Sequence, residues 1–449
     1  MGYVLINESI LSSIGNILRS KLDVSSTFTP IEFNNAIMDI DYLWRNVLEG
    51  NIVDYSDSSI ISISNSVFNY YDNLRTISLH NCSTICSNAF QYCINLSYID
   101  LPNCSYIGSR AFFSCSNLLS ISIPNCSYIG DSAFYYCTNL SSIFIPNVEY
   151  IGSQAFCYCY RLPSHISLPN CTYIGSFAFT SCPNLSYISL PSCSHIGSYA
   201  FQSCSNLSSI SIPNCSYIGN YAFNSCYNLA SISLPNCSYI DSSAFYYCSK
   251  LSSISIPNCE YIGERVFGNC SSLTSIDIPY CSSIGRSAFI NCTNLSSISI
   301  PNCSYIGSYA FYSCTNLSYI SPMSNCSYIG SYAFAYCYSL AYISIPNCSY
   351  IGSNAFYYCS NLLSISLPNC SYIGSSAFYS CSKLSAIYML SKAVPTLSNA
   401  NAFYSTPISN STYLGTFGSI YVLSSLINTF KTAKNWSLYS SRITAYTGT

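Results

Sequence analysis

A unit of 22 residues, read as Leu-Pro-Asn-Cys-Ser-Tyr-Ile-Gly-Ser-x-Ala-Phe-Tyr-x-Cys-x-Asn-Leu-Ser-Ser-Ile-Ser, recurs fourteen times between about residues 80 and 390. The second cysteine of the unit marks the period best, running from Cys93, Cys115 and Cys137 to Cys359 and Cys381 in steps of 22 residues, with two steps of 23. Such a period specifies a solenoid in which each repeat is one coil, unable to bury its apolar side without neighbours. The internal repetition therefore overrides the several globular domains that 449 residues would otherwise suggest.

Within a coil, Leu-x-x-Ile-x-Ile/Leu reads as a short strand of period two. Leu207, Ile210 and Ile212 are expected to point inward and Ser209 and Ser211 outward, and Pro213 ends the strand because it has no N–H for the ladder. Ile218-Gly219 is expected to turn the chain, and Ala222-Phe223 to return it to the core. Cys86 and Asp241 stand where twelve coils have glycine. Cysteine tolerates a left-handed backbone poorly, so either the first coil turns differently or φ is not positive at this position. Every coil keeps the Leu, the Ile before the turn and the Phe, so about seven apolar side chains face inward per coil. Their burial cannot offset the ordering of a whole coil in isolation, and stacking must supply the rest.

The chain has 29 cysteines. Thirteen occupy the Asn-Cys-Ser position and fourteen the second position, with Cys86 and Cys157 as extras. Val148 replaces one member of the first series, so the position takes a small buried hydrophobe. Stacked coils lie about 4.8 Å apart with parallel Cβ vectors, which disfavours disulfides. Reduced core ladders are the leading reading, with disulfides or metal as the alternatives. Metal is disfavoured by the lack of close Cys-x2-Cys pairs and by only three histidines.

Charged residues make up 7% of the chain and the net charge is −2, so clustered Lys and Arg for nucleic acid are missing. No run of about 18 apolar residues is present to insert into a membrane. The start, Met1 to Glu8, lacks a basic region and long apolar stretch, so no signal peptide is expected. Asn7 stands where a myristoylation signal prefers Ser or Thr. The Asn-Cys-Ser and Asn-Cys-Thr triplets match the N-glycosylation sequon as a by-product of the repeat.

The ends differ from the middle. Residues 1–45 read as a helical hairpin, with Ile14 and Ile17 on one face and a second start at Thr29-Pro30-Ile31-Glu32. Residues 46–79 form a linker and a degenerate capping coil that carries Val67-Phe68 and no cysteine. Fourteen repeats fill 80–390, and 391–449 form a closing segment ending in a helix with Leu423, Leu426, Ile427, Phe430 and Trp436.

The pattern Leu207…Ile210…Ile212-Pro213…Ile218-Gly219…Ala222-Phe223…Cys226…Leu229 resembles the BspA-type leucine-rich repeat of bacterial surface proteins, over about 310 residues. Asn-Cys-Ser departs from it where the family usually has an aliphatic residue. The N-terminal segment with Ile14, Ile17, Arg19, Ser20 and Lys21 is similar to the leader of phage tail-associated repeat proteins. The closing segment around Ile420-Tyr421-Val422, Lys431, Ala433, Trp436, Tyr439 and Arg442-Ile443 is similar to the end of the same proteins. The resemblance implies a capped leucine-rich-repeat solenoid of 15–16 coils, roughly 70–80 Å long at about 4.8 Å per coil. One face would be a parallel sheet and the other short turns or 3-10 segments.

No catalytic constellation is legible. His80, His165 and His195 lie at non-equivalent positions without a carboxylate motif, and Asp100, Asp131, Glu149, Asp241, Glu260, Glu264 and Asp277 are scattered. Glu260 and Glu264 sit near Arg265 for weak surface pairing. No enzyme activity, cofactor or metal is expected. The surface is rich in Tyr, Ser and Asn, the composition of recognition surfaces, although tyrosine columns also stack simply to shield a core. Tyr98, Tyr187, Tyr319 and Tyr342 interrupt the serine strand face and are the candidate ligand-binding residues. The expected function is non-catalytic binding of a host-surface protein or glycan, as a phage tail-associated receptor-binding or adhesin-like protein on a virion or cell surface. The 1–45 hairpin would attach the chain or self-associate. The alternative is a bacterial surface or extracellular scaffold that assembles through its neutral faces.

Overall fold

The computed structural model describes residues 54–56, 58, 60–409 and 417–448; the expected helical hairpin of residues 1–45 lies outside them. The chain divides into two compact units, one ending at Ile210 and the other beginning at Ser211. Each unit is a stack of coils whose strands pair in parallel with the equivalent strands of the next coil.

Two strands recur per coil. The first is the expected one: in Ser120–Ser122, Ile121 is buried between outward serines, and its register is Ser120↔Ser142 and Ile121↔Ile143. The second was not expected. The Tyr-Ile pair read as the approach to a turn is itself a two-residue strand, as in Tyr106–Ile107 and Tyr328–Ile329. Its ladder runs without a break from Ser62–Ile63 to His195–Ile196 in the first unit and from Tyr217–Ile218 to Thr396–Leu397 in the second. Two residues are too few to show alternation, which is why the sequence pattern hides it.

The three-residue ladder, by contrast, is interrupted. It stops between Ser142–Phe144 and His165–Ser167, where an extra residue and Pro163 enter one 23-residue coil. It stops again after Tyr319–Ile320, where Pro322 enters the other, and it is also broken between Ser253–Ser255 and Ser275–Asp277, in a coil that carries no insertion. Proline brings no N–H to a ladder, so an insertion that carries one breaks the pairing locally.

Between the two strands a column of phenylalanines fills the core. Phe68, Phe90, Phe112, Phe134, Phe156, Phe179 and Phe201 stack with ring centroids 5.0–5.3 Å apart. Phe223 to Phe403 do the same in the second unit at 5.1–5.6 Å. The leucine, isoleucine and alanine columns beside them are almost all fully buried, as the repeat requires.

The glycine after each Tyr-Ile pair does not adopt a positive φ. It is there because successive corners touch: a Cβ on Gly130 would lie 2.7 Å from Gly108 C and from Ser109 N, and one on Gly352 would lie 2.5 Å from Ser331 N. The left-handed residues are two others in each coil, Arg110 (φ 56°) and Ser114 (φ 58°) in one, Tyr332 (φ 57°) and Tyr336 (φ 64°) in another. Each is the third residue of a tight turn closed by Ala111 N to Gly108 O (3.3 Å) or Cys115 N to Phe112 O (3.2 Å). The intervening N–H groups reach the next coil instead, as in Phe112 N to Ala133 O at 2.8 Å.

Asp241 shows what a side chain in the glycine column does. It accepts Ser242 N at 2.7 Å and the Tyr217 hydroxyl at 3.4 Å. The Tyr217–Tyr239 and Tyr239–Tyr261 rings stand 5.9 and 5.8 Å apart there, against 4.7–4.9 Å from Tyr305 to Tyr372. A Cβ on the following Gly263 would meet nothing closer than 3.1 Å.

After Leu397 the repeat gives way to a different packing. The single helix expected in the tail is divided: a strand at Ser419–Val422, a 3-10 turn at Ser424–Leu426, an α-helix at Ile427–Thr432 and a second 3-10 segment at Trp436–Arg442. The helix stops because Ala433 is extended and Asn435 left-handed. Trp436 then lies 5.9 Å from Phe403, the last ring of the phenylalanine column, and donates its indole N–H to Pro395 O at 2.8 Å.

Gly352→Ala is expected to cost about 1–3 kcal/mol by overpacking backbone on backbone, and Gly263→Ala distinctly less. Thermal melts of the two variants check this; equal shifts would refute the close-approach account.

Candidate recognition surface

Much of the polar repeat is spent on joining coils. The Asn of the Pro-Asn-Cys motif donates its amide N–H to the proline carbonyl of the preceding coil, Asn125 to Pro102 at 2.9 Å and Asn258 to Pro235 at 2.7 Å. The Ser after the first cysteine bonds a carbonyl one coil back, Ser105 to Ser83 at 3.1 Å and Ser371 to Ser349 at 2.9 Å. The Ser after the leucine does likewise, Ser318 to Ser296 at 3.2 Å. These sequon asparagines are therefore structural clips.

Both cysteine series are buried, and all 29 cysteines are free. Second-series thiols donate to the phenylalanine carbonyl of the preceding coil, Cys115 to Phe90 at 3.0 Å and Cys359 to Phe334 at 3.0 Å. First-series thiols donate within their own coil, Cys104 to Tyr106 at 3.3 Å. The position is thus more than a small hydrophobe: sulfur also supplies a weak donor. Burial pushes these thiols up, Cys93 to about 12 and Cys126 to about 11, and fully buried Cys115 well above its ordinary value. Only thiolates are strong nucleophiles, so these groups are inert.

The histidines do not converge. His195 stacks on Tyr173 at 4.7 Å, and burial lowers its pKa. His165 meets Ser164 Oγ at 2.9 Å. His80, however, has a carboxylate neighbour that the sequence spacing concealed: stacking brings Asp100 Oδ2 to 3.5 Å from its Nε2. Ser78 Oγ lies 3.1 Å from the other ring nitrogen but also donates to Asp100 at 3.3 Å. With the His80 side chain 58% exposed, this is a solvated polar contact on an open face. Glu264 and Arg265 pair at 3.3 Å, also exposed. Among the described residues no three His, Cys, Asp or Glu side chains are grouped to hold a metal ion, and no helix is long and apolar enough to cross a membrane.

Three sets of tyrosines bear on recognition. Those of the Tyr-Ile strand stack face to face: Tyr106, Tyr128, Tyr150 and Tyr173 at 4.8–5.0 Å in the first unit, with Tyr305 to Tyr372 in the second. This set is the shielding column.

The second set contains the residues singled out from sequence. Tyr98 (48% exposed) pairs in register with Ser120, and Tyr319 (56%) with Ser297. Tyr342 is 63% exposed on the coil after Tyr319. None of these three makes a ring contact among the described residues. Tyr187 is half-buried and tilted against His165 at 6.0 Å. Tyr98 and Tyr187 are four coils apart, roughly 20 Å at about 4.8 Å per coil, so they do not form one cluster, whereas Tyr319 and Tyr342 occupy successive coils.

The third set lies on the turn side after Ala-Phe. Tyr135, Tyr136, Tyr158 and Tyr160 contact one another at 5.6–6.4 Å in the first unit. In the second, Tyr336 lies within 5.2–6.1 Å of Tyr312, Tyr338, Tyr357 and Tyr358. The signal was present as Tyr-Tyr and Tyr-Cys-Tyr runs such as Tyr357-Tyr358 and Tyr336-Cys337-Tyr338.

A family model described as the BspA type leucine rich repeat region (6 copies) matches in four overlapping stretches, residues 41–163, 127–252, 238–362 and 305–424. A leucine-rich repeat protein from Bacteroides ovatus is 26% identical, with a TM-score of 0.60, covering 78% of this chain and 88% of its own. A leucine rich cell surface protein from Faecalibacterium prausnitzii is 26% identical over 60% of this chain and 87% of its own, with a TM-score of 0.35. No protein of curated function matches the sequence.

In the native protein, a thiol reagent is expected to label the half-buried Cys86 and leave the two buried series untouched between pH 7 and 10, with all 29 reacting on unfolding. Labelling of several thiols that rises with pH in the folded state would contradict the inert, buried arrangement.

Proposed function

Because the chain belongs to the BspA-type leucine-rich repeat family, we propose that it is a non-catalytic binding protein of adhesion type that engages a host-surface protein or glycan. The observation that carries this reading is the set of exposed strand-face rings, Tyr98, Tyr319 and Tyr342, which have no part in the stacking that uses the other tyrosine columns. A rigid aromatic standing among serines offers contact area at small entropic cost. The repeated backbone beneath it fixes its position.

In this reading the protein works on a phage tail, as the likeness of its two end segments to tail-associated repeat proteins suggests. Residues 1–45 attach it or join copies, and the 391–449 segment closes the last coil through Trp436. The second reading, a surface scaffold assembling through neutral faces, is favoured by the net charge of only −2, which leaves little repulsion between copies.

Glycan and surface-protein arrays probed with the full chain should give hits that Tyr319→Ala/Tyr342→Ala weakens about tenfold, a loss of about 1.4 kcal/mol. Hits unaffected by these changes and by Tyr98→Ala and Tyr187→Ala would remove the strand face from the proposal. For the hairpin, mass measurement of a chain lacking residues 1–45 should show loss of any oligomer; an oligomer that persists places the contact elsewhere.

A further inference from the structure

Between Arg286 and Lys383 the sequence has no Asp, Glu, Lys, Arg or His. The turn side of this stretch carries a continuous path of aromatic rings across successive coils. Tyr338 lies 6.1 Å from Tyr336, Tyr336 5.7 Å from Tyr358, Tyr358 6.1 Å from Tyr379, and Tyr379 5.3 Å from Tyr404. Tyr338, Tyr358 and Tyr404 are exposed, at 41%, 38% and 43%. Tyr336 and Tyr358 occupy left-handed positions (φ 64° and 58°) where the equivalent residues of flanking coils are Ser313 and Ser380. A bulky aromatic is an uncommon occupant of that conformation. These rings are displayed against local backbone preference, and the turn itself does not require them.

We propose that this turn-side path is a binding platform for an uncharged polysaccharide. The proposal rests on the reading of the protein as a binder, but not on the strand face. Three features select this occupant. A nucleic acid, an anionic polymer or a strongly charged protein surface would find no ion to pair with between Arg286 and Lys383, and of the two lysines before Tyr404, Lys383 is held on Asn361 Oδ1 at 2.7 Å. Where two rings of the path stack, as Tyr379 on Tyr404, they present edges and phenolic hydroxyls to sugar hydroxyls, and a ring tilted from its neighbour, as Tyr338 is from Tyr336 at 74°, adds a face whose negative quadrupole attracts the C–H face of a sugar ring. The rings also advance by about one coil rise at a time, 5.0 Å from Tyr357 to Tyr379 and 5.3 Å from Tyr379 to Tyr404. A chain of linked sugars can therefore lie along the stack and meet a ring at each step.

The test is affinity electrophoresis of the full chain through gels holding dextran, β-glucan, glucomannan or xylan, with a strand-face variant and two patch variants. Retention by at least one of these polymers is expected. Tyr338→Ala/Tyr358→Ala/Tyr404→Ala should weaken it about tenfold or more, and the corresponding triple Tyr→Phe variant should keep most of it. Tyr319→Ala/Tyr342→Ala should leave it within about twofold, and about 0.5 M salt should change it little, since no ions take part. The Phe variant preserves packing, so retention by it alongside loss in the alanine variant separates lost stacking from misfolding, which a melt of each variant reads directly. The proposal is overturned if none of the four polymers retards the chain, if retention survives the triple alanine variant, or if salt abolishes it. It is also overturned if light scattering finds a dimer that the triple alanine variant dissolves, which would make a second copy the occupant. Array hits lost only with the strand-face variant would sink this platform while leaving the adhesion reading standing.

Discussion

Contact between the Ile-Gly corners of successive coils sets the spacing on which everything else in this protein depends. With only hydrogen on the glycine Cα, backbone meets backbone, and a Cβ on Gly175 would come within 2.5 Å of Gly152 C. The same rise places phenylalanine rings at stacking distance and lets a buried thiol reach the carbonyl one coil back. Asp241 tests the dependence internally: where a side chain enters the column, the neighbouring tyrosine rings move apart to 5.8–5.9 Å while the ladder continues.

Given that rise, the unusual composition follows. In most repeats an asparagine, two serines and the second cysteine are each within reach of a carbonyl one coil back, and they use it. The hydrogen bonds are local in space though 22 or 23 residues apart in sequence. A Tyr-, Ser- and Asn-rich sequence resembles a recognition surface throughout, yet the serines and asparagines are largely committed to the stack. What remains exposed and uncommitted is the subset of tyrosines that the stack does not use.

The repeat length, the inward Leu, Ile and Phe columns and the burial of the cysteines were legible because they depend on hydrophobic pattern alone, and the pattern repeats fourteen times. Other features depend on what lies one coil away, which a linear pattern does not display. The Tyr-Ile strand is too short to alternate. The glycine is needed for a contact 22 residues distant, and its own φ is ordinary. The left-handed positions are occupied by residues such as Arg110, Ser114 and Tyr336, so the usual glycine signal is missing there. His80 and Asp100 are 20 residues apart and looked unrelated until stacking paired them. The strand-face tyrosines were found because they interrupt a run of serines. The turn-side path is hard to read from the sequence because its rings come from three different repeat positions.

The two 23-residue coils indicate which side of the stack is free to vary. Each inserts its extra residue near the strand that follows the leucine, with Pro163 in one and Pro322 in the other, and the three-residue ladder breaks there. The other side does not register the insertion: Tyr150 still pairs with Tyr173 and Tyr305 with Tyr328. Phe156–Phe179 and Phe311–Phe334 stack at 5.3 and 5.1 Å, as elsewhere. A change in the glycine corner at Asp241 spreads the neighbouring tyrosine rings while Phe223–Phe245 keeps its 5.2 Å, whereas a change on the strand face is absorbed by losing a few ladder bonds. Substitutions that alter recognition can therefore accumulate on the strand face, and at the exposed turn-side rings, without disturbing the contact that holds the coils together.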